Sequence, residues 1–188
     1  MRGSAVPRTS EDIHALAAAV ADDVRGHIPV ALGFECPLFV PITEQPAKLT
    51  SARNGEGNRA WSAGAGCGAL ATGLTQVVWL LREIRRLAPG AHQAFVDWPL
   101  FRTHSSGLFV WEAFVSGTSK GITHAADALA AVKAFGAAMT QPLLLSAVTC
   151  PSEAYSLVGA ALLRTGWSTD LALLSSHCIV IRAIERGV

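Results

Sequence analysis

The segment Ile28-Pro-Val-Ala-Leu-Gly-Phe-Glu-Cys-Pro-Leu-Phe39 contains the clearest strand signal in the chain. Five of the six residues from Val30 to Glu35 are apolar or glycine, a pattern typical of a β-strand that is buried on both faces. Pro37 ends this strand because proline has no N–H to donate to a neighbour. A strand of this kind predicts an α/β fold with helices on both sides of a sheet.

Glu35 stands at the carboxyl end of that strand and is the first candidate for a functional residue. A carboxylate beside a buried strand is poorly solvated unless a positive or protic group lies nearby. In open α/β sheets, ligands bind just beyond the carboxyl ends of the strands. The alternative is structural, with Glu35 meeting only solvent or the N-terminus of a helix.

The composition predicts one globular domain with a large core. The chain has 188 residues, of which 51% are hydrophobic and 15% are charged, and this balance excludes intrinsic disorder. The formal net charge is only +1, so a nucleic-acid partner would have to be held by a local group of cations. Nucleic acid is the partner that we expect, and self-association stays open.

The cysteines and the apolar runs exclude several classes of protein. The four cysteines lie far apart and include no CxxC pair. We therefore interpret them as buried small residues in a reducing compartment and not as zinc ligands or disulfides. Charged, polar or glycine residues interrupt each apolar run before it reaches the length of a membrane span. The N-terminus has no apolar signal core, so the sequence predicts a cytoplasmic protein without a membrane partner.

Apolar periodicity divides the single domain 1–188 into helices and strands. Residues 1–9 lack a pattern, residues 41–60 form a long loop, and residues 142–188 form a helical extension with a terminal strand. The other predicted elements are helices at 10–26, 62–87, 123–136 and 152–166, and strands at 94–96, 107–115 and 178–181.

The loop at 41–60 carries candidate nucleic-acid contacts. Loops of this length inside compact domains are usually functional or mobile. Arg53, Glu56 and Arg59 lie close in sequence to Trp61, and guanidinium groups near an indole can hold a phosphate or stack on a base. The alternative is that both arginines are ordinary solvated loop charges.

The helix at 62–87 begins with an unusual run of small residues that includes Gly64, Gly66 and Gly68. Each glycine inside a helix costs roughly 1 kcal/mol of stability, so we expect close packing against another backbone as compensation. A phosphate-binding loop is disfavoured here because no strand directly precedes the run and no Lys-Ser/Thr pair follows it.

Polar residues in two later apolar elements complete the set of candidates. Glu112 interrupts the apolar strand at 107–115, where a carboxylate is costly unless it is paired or bound to metal. His124 and Asp127 are three residues apart on the next helix and therefore share a face. His124 is either a ligand or proton shuttle, or a packed residue that meets a backbone carbonyl.

The order of these motifs resembles a known superfamily. The helix Thr123-His-Ala-Ala-Asp-Ala-Leu-Ala-Ala-Val resembles the catalytic helix of RNase H-fold nucleases of the Holliday-junction-resolvase type. The strand that ends at Glu35 is similar to the one that carries the second carboxylate of those proteins. Together with the Glu112 strand and its Lys-Gly turn, the chain resembles uncharacterised prokaryotic proteins predicted to be RNase H-like nucleases.

The resemblance implies a three-layer α/β fold with a central mixed sheet. It departs from the family in one respect, since the family fold opens with a hairpin whose first strand supplies a metal-binding Asp. Here a helix precedes the strand of Glu35, and we expect a fold without that N-terminal hairpin. This departure predicts weak or absent catalysis from the chain alone.

The resemblance also implies roles for individual residues. Glu35 and Asp127 would bind Mg²⁺ or Mn²⁺, and Glu112 and His124 would complete the catalytic group. Independently of the resemblance, we expect Arg53 and Arg59 of the loop, with Lys120, to contact nucleic acid, whose phosphodiester bonds would be hydrolysed with metal assistance.

Two other functions remain as alternatives. One is a non-catalytic RNase H-fold module that binds protein or nucleic acid. The other is a small-molecule enzyme that uses the glycine-rich start of the helix at 62–87.

Overall fold

The computed structural model describes residues 12–139, 144–150 and 152–183. The chain begins there with helix α1 (Ile13–Arg25), whose first turn is capped by the Asp12 carboxylate through the N–H groups of His14 and Ala15. The other cap candidate, Ser10, and the patternless residues 1–9 lie outside the described residues.

The remaining elements follow in chain order, and short 3₁₀ helices at 46–48, 117–119 and 171–175 connect some of them. They are β1 (Val30–Phe34), β2 (Phe39–Pro41), α2 (Gly64–Leu87), β3 (Ala94–Phe95), α3 (Trp98–Arg102), β4 (Leu108–Phe114), α4 (His124–Ala138), β5 (Ala154–Ser156), α5 (Leu157–Arg164) and β6 (Val180–Arg182).

Strand β4 is the centre of the main sheet. It pairs with β1 along one edge, in a register that joins Val30 to Leu108 and Phe34 to Glu112. On its other edge, β3 pairs with the first half of β4 and β6 pairs with the second half. The prediction that the strands of Glu35 and Glu112 share a sheet is therefore confirmed.

All the pairings in this sheet are parallel, which corrects the prediction of a mixed sheet. Antiparallel pairing occurs outside this sheet, in a small sheet of β2 and β5 and in a single bridge between Asn54 and Thr149. Parallel strands need crossover connections, and the helices of this chain supply them.

Helices cover the main sheet on both faces, so the fold is a three-layer α/β sandwich. Because side chains alternate along a strand, Leu108 and Val110 pack with α1, α2 and α5 in one core cluster, whereas Phe109 and Trp111 pack with α3 and α4 in another. Trp111 also stacks on Phe135 of α4, with ring centroids 4.6 Å apart. The helices predicted at 62–87 and 123–136 lie on opposite faces.

The C-terminal region departs most from the expected elements. The predicted helix at 152–166 is a strand, β5, followed directly by α5, and the Ser156 hydroxyl that ends the strand caps the helix by accepting the Gly159 N–H at 3.0 Å. Three strand residues are too few to show an alternating pattern, and β2 supplies the partner that the sequence does not reveal.

The glycines of α2 allow close packing at two points. A Cβ atom on Gly66 would lie 2.2 Å from the carbonyl oxygen of Ala60, and one on Gly73 would lie 2.3 Å from the Cβ of Cys36. The expected close packing against a backbone is therefore observed at Gly66. Gly64 and Gly68 have open space where a Cβ would be.

Helix α2 is long and apolar enough, by length and composition alone, to cross a membrane, which corrects the expectation that no segment reaches that length. Its second half buries Val77, Leu80, Leu81 and Ile84 beneath α1 and α5. That half is part of the core of a globular domain, while much of the first half is exposed.

Two alanine substitutions on α2 test this packing. We expect Gly73→Ala to lower the free energy of unfolding by about 1–3 kcal/mol because the new methyl group overlaps Cys36. Gly68→Ala, the matched control, should raise it by about 0.5–1 kcal/mol because alanine is the better helix former and nothing obstructs it. Urea denaturation measures both, and stabilisation by Gly73→Ala would contradict the packing.

Candidate metal centre and cleft

Glu35, His124 and Asp127 form a cluster at the carboxyl edge of the sheet. One potential ligand atom from each, two carboxylate oxygens and an imidazole nitrogen, all lie within 4.8 Å of one another. Glu35 directly follows β1, and His124 and Asp127 lie in the first turn of α4. The predicted approach of Glu35 and Asp127 is therefore observed, with His124 beside them.

Strand alternation directs Glu35 toward α4. Gly33 pairs with Trp111, whose side chain packs with α4, and Glu35 lies two residues after Gly33 on the same face. A Cβ on Gly33 would lie 2.4 Å from the Trp111 ring. Because Gly33 has no side chain, the indole of Trp111 can lie against the strand two residues before Glu35.

The start of α4 is held in place by two hydrogen bonds. The Thr123 hydroxyl accepts the Ala126 N–H at 3.2 Å, which is a common helix cap. The buried Asp127 carboxylate accepts the N–H of Gly121 at 2.5 Å. One oxygen of Asp127 thus fixes the preceding turn, and the residue is only 1% exposed.

The pKa of Glu35 is raised above its ordinary value. Partial burial is the main cause and the neighbouring Asp127 carboxylate adds to it, whereas the charges of Lys120 and His124 act in the opposite direction. Two carboxylates that face one another in a poorly solvated place favour a proton or a cation between them.

Glu112 does not join this cluster, which corrects the prediction that it completes the catalytic group. Its neighbours Trp111 and Ala113 pack toward α4, so alternation sends the Glu112 side chain to the opposite face. There it is 1% exposed and accepts the N–H of Leu38 at 2.9 Å. The expectation that such a carboxylate needs a partner is met by Arg53.

Arg53 forms a buried ion network with Glu112 and Glu56. Its terminal nitrogens donate to the two Glu112 oxygens at 2.8 and 2.6 Å, and its Nε donates to Glu56 at 2.9 Å. Nη2 also lies 2.8 Å from the Glu56 carboxylate, and Nη1 donates to the Phe39 carbonyl at 3.2 Å. The guanidinium lies over the Phe39 ring, 4.5 Å from its centre.

The role expected for Arg53 therefore needs correction. Arg53 is only 2% exposed, and each N–H of its guanidinium has an acceptor, so none is free to bind phosphate. Burial lowers the pKa of Arg53, but the hydrogen bonds and charge of Glu112, together with Glu56, outweigh this effect and raise it. The sequence carried a signal for the network, namely an Arg and a Glu three residues apart and a lone Glu in an apolar strand.

A cleft opens above the network at the same edge of the sheet and encloses about 550 Å³, its open mouth included. Its floor is formed by Arg53, Glu56 and Glu112. Its lining also includes Glu35, Cys36, Pro37, Arg59, Trp61, Ala65, Gly66, Ala69, Ala113, Phe114, Val115, Ser116 and Lys120. The three cations that were predicted to contact nucleic acid therefore line one cleft with Glu35.

A larger depression of about 1450 Å³, open to solvent, lies near β3 and the segment 167–177. Its lining includes Asp97 and Asp170, which cap neighbouring turns by accepting the N–H groups of Leu100 and Ala172. Neither lysine nor arginine is among its lining residues, so it lacks the charge that an anionic ligand requires.

Two carboxylates and an imidazole within 4.8 Å of one another are a ligand set that fits a divalent cation. Metal–ligand bonds of about 2.0–2.3 Å place ligand atoms of one ion up to roughly 4.5 Å apart, so small side-chain movements would bring all three atoms onto one ion. Comparison of the chain with protein-family models, with curated proteins and with solved structures finds no match.

Replacement of Arg53 tests the network. We expect Arg53→Met to lower the free energy of unfolding by about 3–5 kcal/mol, because Glu56 and Glu112 would be left buried without a counter-charge. The matched control Arg59→Met changes an exposed arginine of the same loop and should stay within about 0.5 kcal/mol of the wild type. Equal effects in urea denaturation would refute the network.

The raised pKa of Glu35 predicts a pH-dependent stability. The folded protein holds the proton of Glu35 to higher pH than the unfolded chain does. Protonation of Glu35 therefore stabilises the fold fully below the ordinary pKa of 4.5, and this stabilisation disappears as the pH rises through the raised pKa. In EDTA near neutral pH, Glu35→Gln should therefore raise the Tm, and the gain should shrink near pH 4.5. A gain independent of pH would show that the Glu35 charge is not its cause.

Proposed function

We propose that this domain is a metal-dependent, RNase H-like phosphodiesterase that acts on nucleic acid in the cytoplasm. The observation that carries the proposal is the convergence of Glu35, His124 and Asp127 at the carboxyl edge of a parallel sheet, which is where α/β proteins bind their ligands. The adjoining cleft supplies two exposed cations, Arg59 and Lys120.

The residues of the cluster differ in what they would do for the ion. Asp127 is buried and fixed by Gly121, so it would set the position of the cation. Glu35 and His124 are exposed, so they can adjust their side chains and leave coordination positions open to water and substrate. A bound divalent cation would activate water and stabilise negative charge on the phosphate oxygens.

The mixed donor set favours Mn²⁺ over Mg²⁺. Mg²⁺ prefers oxygen ligands in a strict octahedral arrangement, whereas imidazole suits the transition metals. His124 supplies a nitrogen beside the two carboxylates. In a Mg²⁺ complex, His124 would instead lie beside the coordinated water, where an imidazole can accept or donate a proton near neutral pH.

A second function, a nucleic-acid-binding module of the same fold without catalysis, is favoured by the position of Glu112. Two-metal hydrolysis needs carboxylates that bridge two ions about 4 Å apart. Glu112 is held by Arg53 on the other face of the sheet. Within the described residues, one cluster of three potential ligands remains, and it suits one ion better than two. We therefore expect hydrolysis to be slow.

Calorimetric titration with Mn²⁺ tests the metal centre. Wild type should bind one ion, and Asp127→Asn should weaken binding by at least roughly tenfold because it removes a charged ligand. Asparagine can still accept the Gly121 N–H, so the fold should survive. Glu44→Gln, a change at an exposed carboxylate outside the cleft, serves as the control and should leave the affinity unchanged.

Cleavage of a labelled oligonucleotide separates the two functions. Slow hydrolysis that requires Mn²⁺ and disappears in Asp127→Asn supports the phosphodiesterase. Metal binding without any hydrolysis would support the non-catalytic module. Equal Mn²⁺ affinity in wild type and Asp127→Asn would remove Asp127 from the centre and refute the proposal.

A further inference from the structure

We propose that the cleft binds single-stranded nucleic acid, with one unstacked base against Trp61 and the adjoining phosphates held by Arg59 and Lys120. This inference rests on the proposed function and names the substrate form that the same site accepts. It is carried by three features of the cleft, namely a fixed aromatic ring, two exposed cations that form no ion pair with the described residues, and a wall of small residues.

Trp61 is a preorganised ring at the cleft. Its Nε1 donates to the carbonyl of Ser51 at 3.0 Å, and the next side chain, Ser62, donates to the carbonyl of Thr50 at 2.5 Å. These bonds tie the two ends of the loop segment together. The indole is only partly buried and lines the cleft, so a stacking base would meet a ring whose orientation is already set.

The loop is also fixed from below and from the side. Arg53 joins it to Glu112 of β4, and Gly66 lets α2 approach within contact distance of the Ala60 backbone. A side chain at position 66 would push this part of the loop away from the helix. The sequence features that were hardest to explain, the buried Glu112 and the small residues of α2, thus support the cleft wall.

The charges of the cleft leave Arg59 and Lys120 available to an anion. The Arg53 charge is compensated by Glu56 and Glu112. Arg59 and Lys120 are exposed, and the structure shows an ion pair for neither of them among the described residues. Without a cation, Glu35 and Asp127 would repel a phosphate that these two residues attract, and a bound cation would remove that repulsion.

The partly exposed ring beside two cations favours a single strand. The cleft is open, and the space of about 550 Å³ that it spans includes bulk solvent, so a base would lie against Trp61 at the surface and would not be enclosed. Ala65, Gly66 and Ala69 form one wall without bulky or charged side chains. A base can contact the Trp61 ring only when it has left its own stack, and such contacts depend little on which base it is.

The test uses Glu35→Gln in EDTA, a background in which metal binding is absent and the repulsion by Glu35 is removed. The probe is a fluorescein-labelled oligothymidylate of twelve nucleotides, and fluorescence anisotropy measures its Kd at several salt concentrations. In this background, Trp61→Ala should weaken binding roughly 5- to 100-fold, whereas Trp61→Phe, which keeps a ring, should recover most of the loss.

Arg59→Ala and Lys120→Ala should each make the negative slope of log K against log salt shallower by about 0.7, because each removes one phosphate contact. Arg82→Ala, a change at an exposed arginine of α2 that does not line the cleft, is the matched control and should leave the slope unchanged. A duplex probe of the same length should bind at least tenfold more weakly than the single strand.

Three results would overturn the inference. They are duplex binding as tight as single-strand binding, a salt slope that neither cleft cation affects, and full affinity in both Trp61 variants. None of these results would change the Mn²⁺ affinity of the wild type. Failure of the single-strand inference is therefore distinguishable from failure of the proposed metal centre. Loss of Mn²⁺ binding alone would leave the oligonucleotide result intact.

Discussion

The alternation of side chains along β4 is the constraint on which the rest of the structure depends. Trp111 and Ala113 face α4, so Glu112 between them must face α2 and α5. A buried carboxylate there is tolerable only with a counter-charge, and Arg53 supplies it from the long loop. The ion pair therefore determines where that loop lies, and the loop in turn forms one side of the cleft.

The two sides of the sheet thus use carboxylates for different purposes. Glu112 is fully bonded and serves to join a loop to the sheet. Glu35 leaves its strand at the edge, meets Asp127 without a guanidinium between them, and has a raised pKa because burial and a like charge oppose its ionisation. A carboxylate that destabilises the metal-free protein is typical of a site arranged for a ligand.

The sequence predicts the parts of this molecule that depend on local pattern. The strand of Glu35 and the helices with Leu80 and Asp127 follow from apolar runs, whereas the approach of Glu35 to Asp127 is expected from the resemblance to RNase H-fold nucleases. The lone Glu112 in an apolar strand indicates that it needs a partner, but the identity of that partner, Arg53, depends on a contact 59 residues apart in sequence. The parallel character of the sheet and the short β5 strand likewise depend on distant partners.

The parallel pairing of β1 with β4 also has a consequence for how the domain folds. Val30 pairs with Leu108 and Phe34 with Glu112, and Glu35 meets His124 and Asp127 across a still longer stretch of chain. Closing a long chain segment costs entropy before its contacts form, so pairings of this kind arise late and slowly. We expect the cleft to form in the final cooperative step of folding. Local unfolding of β1 would disrupt both sides of the cleft together.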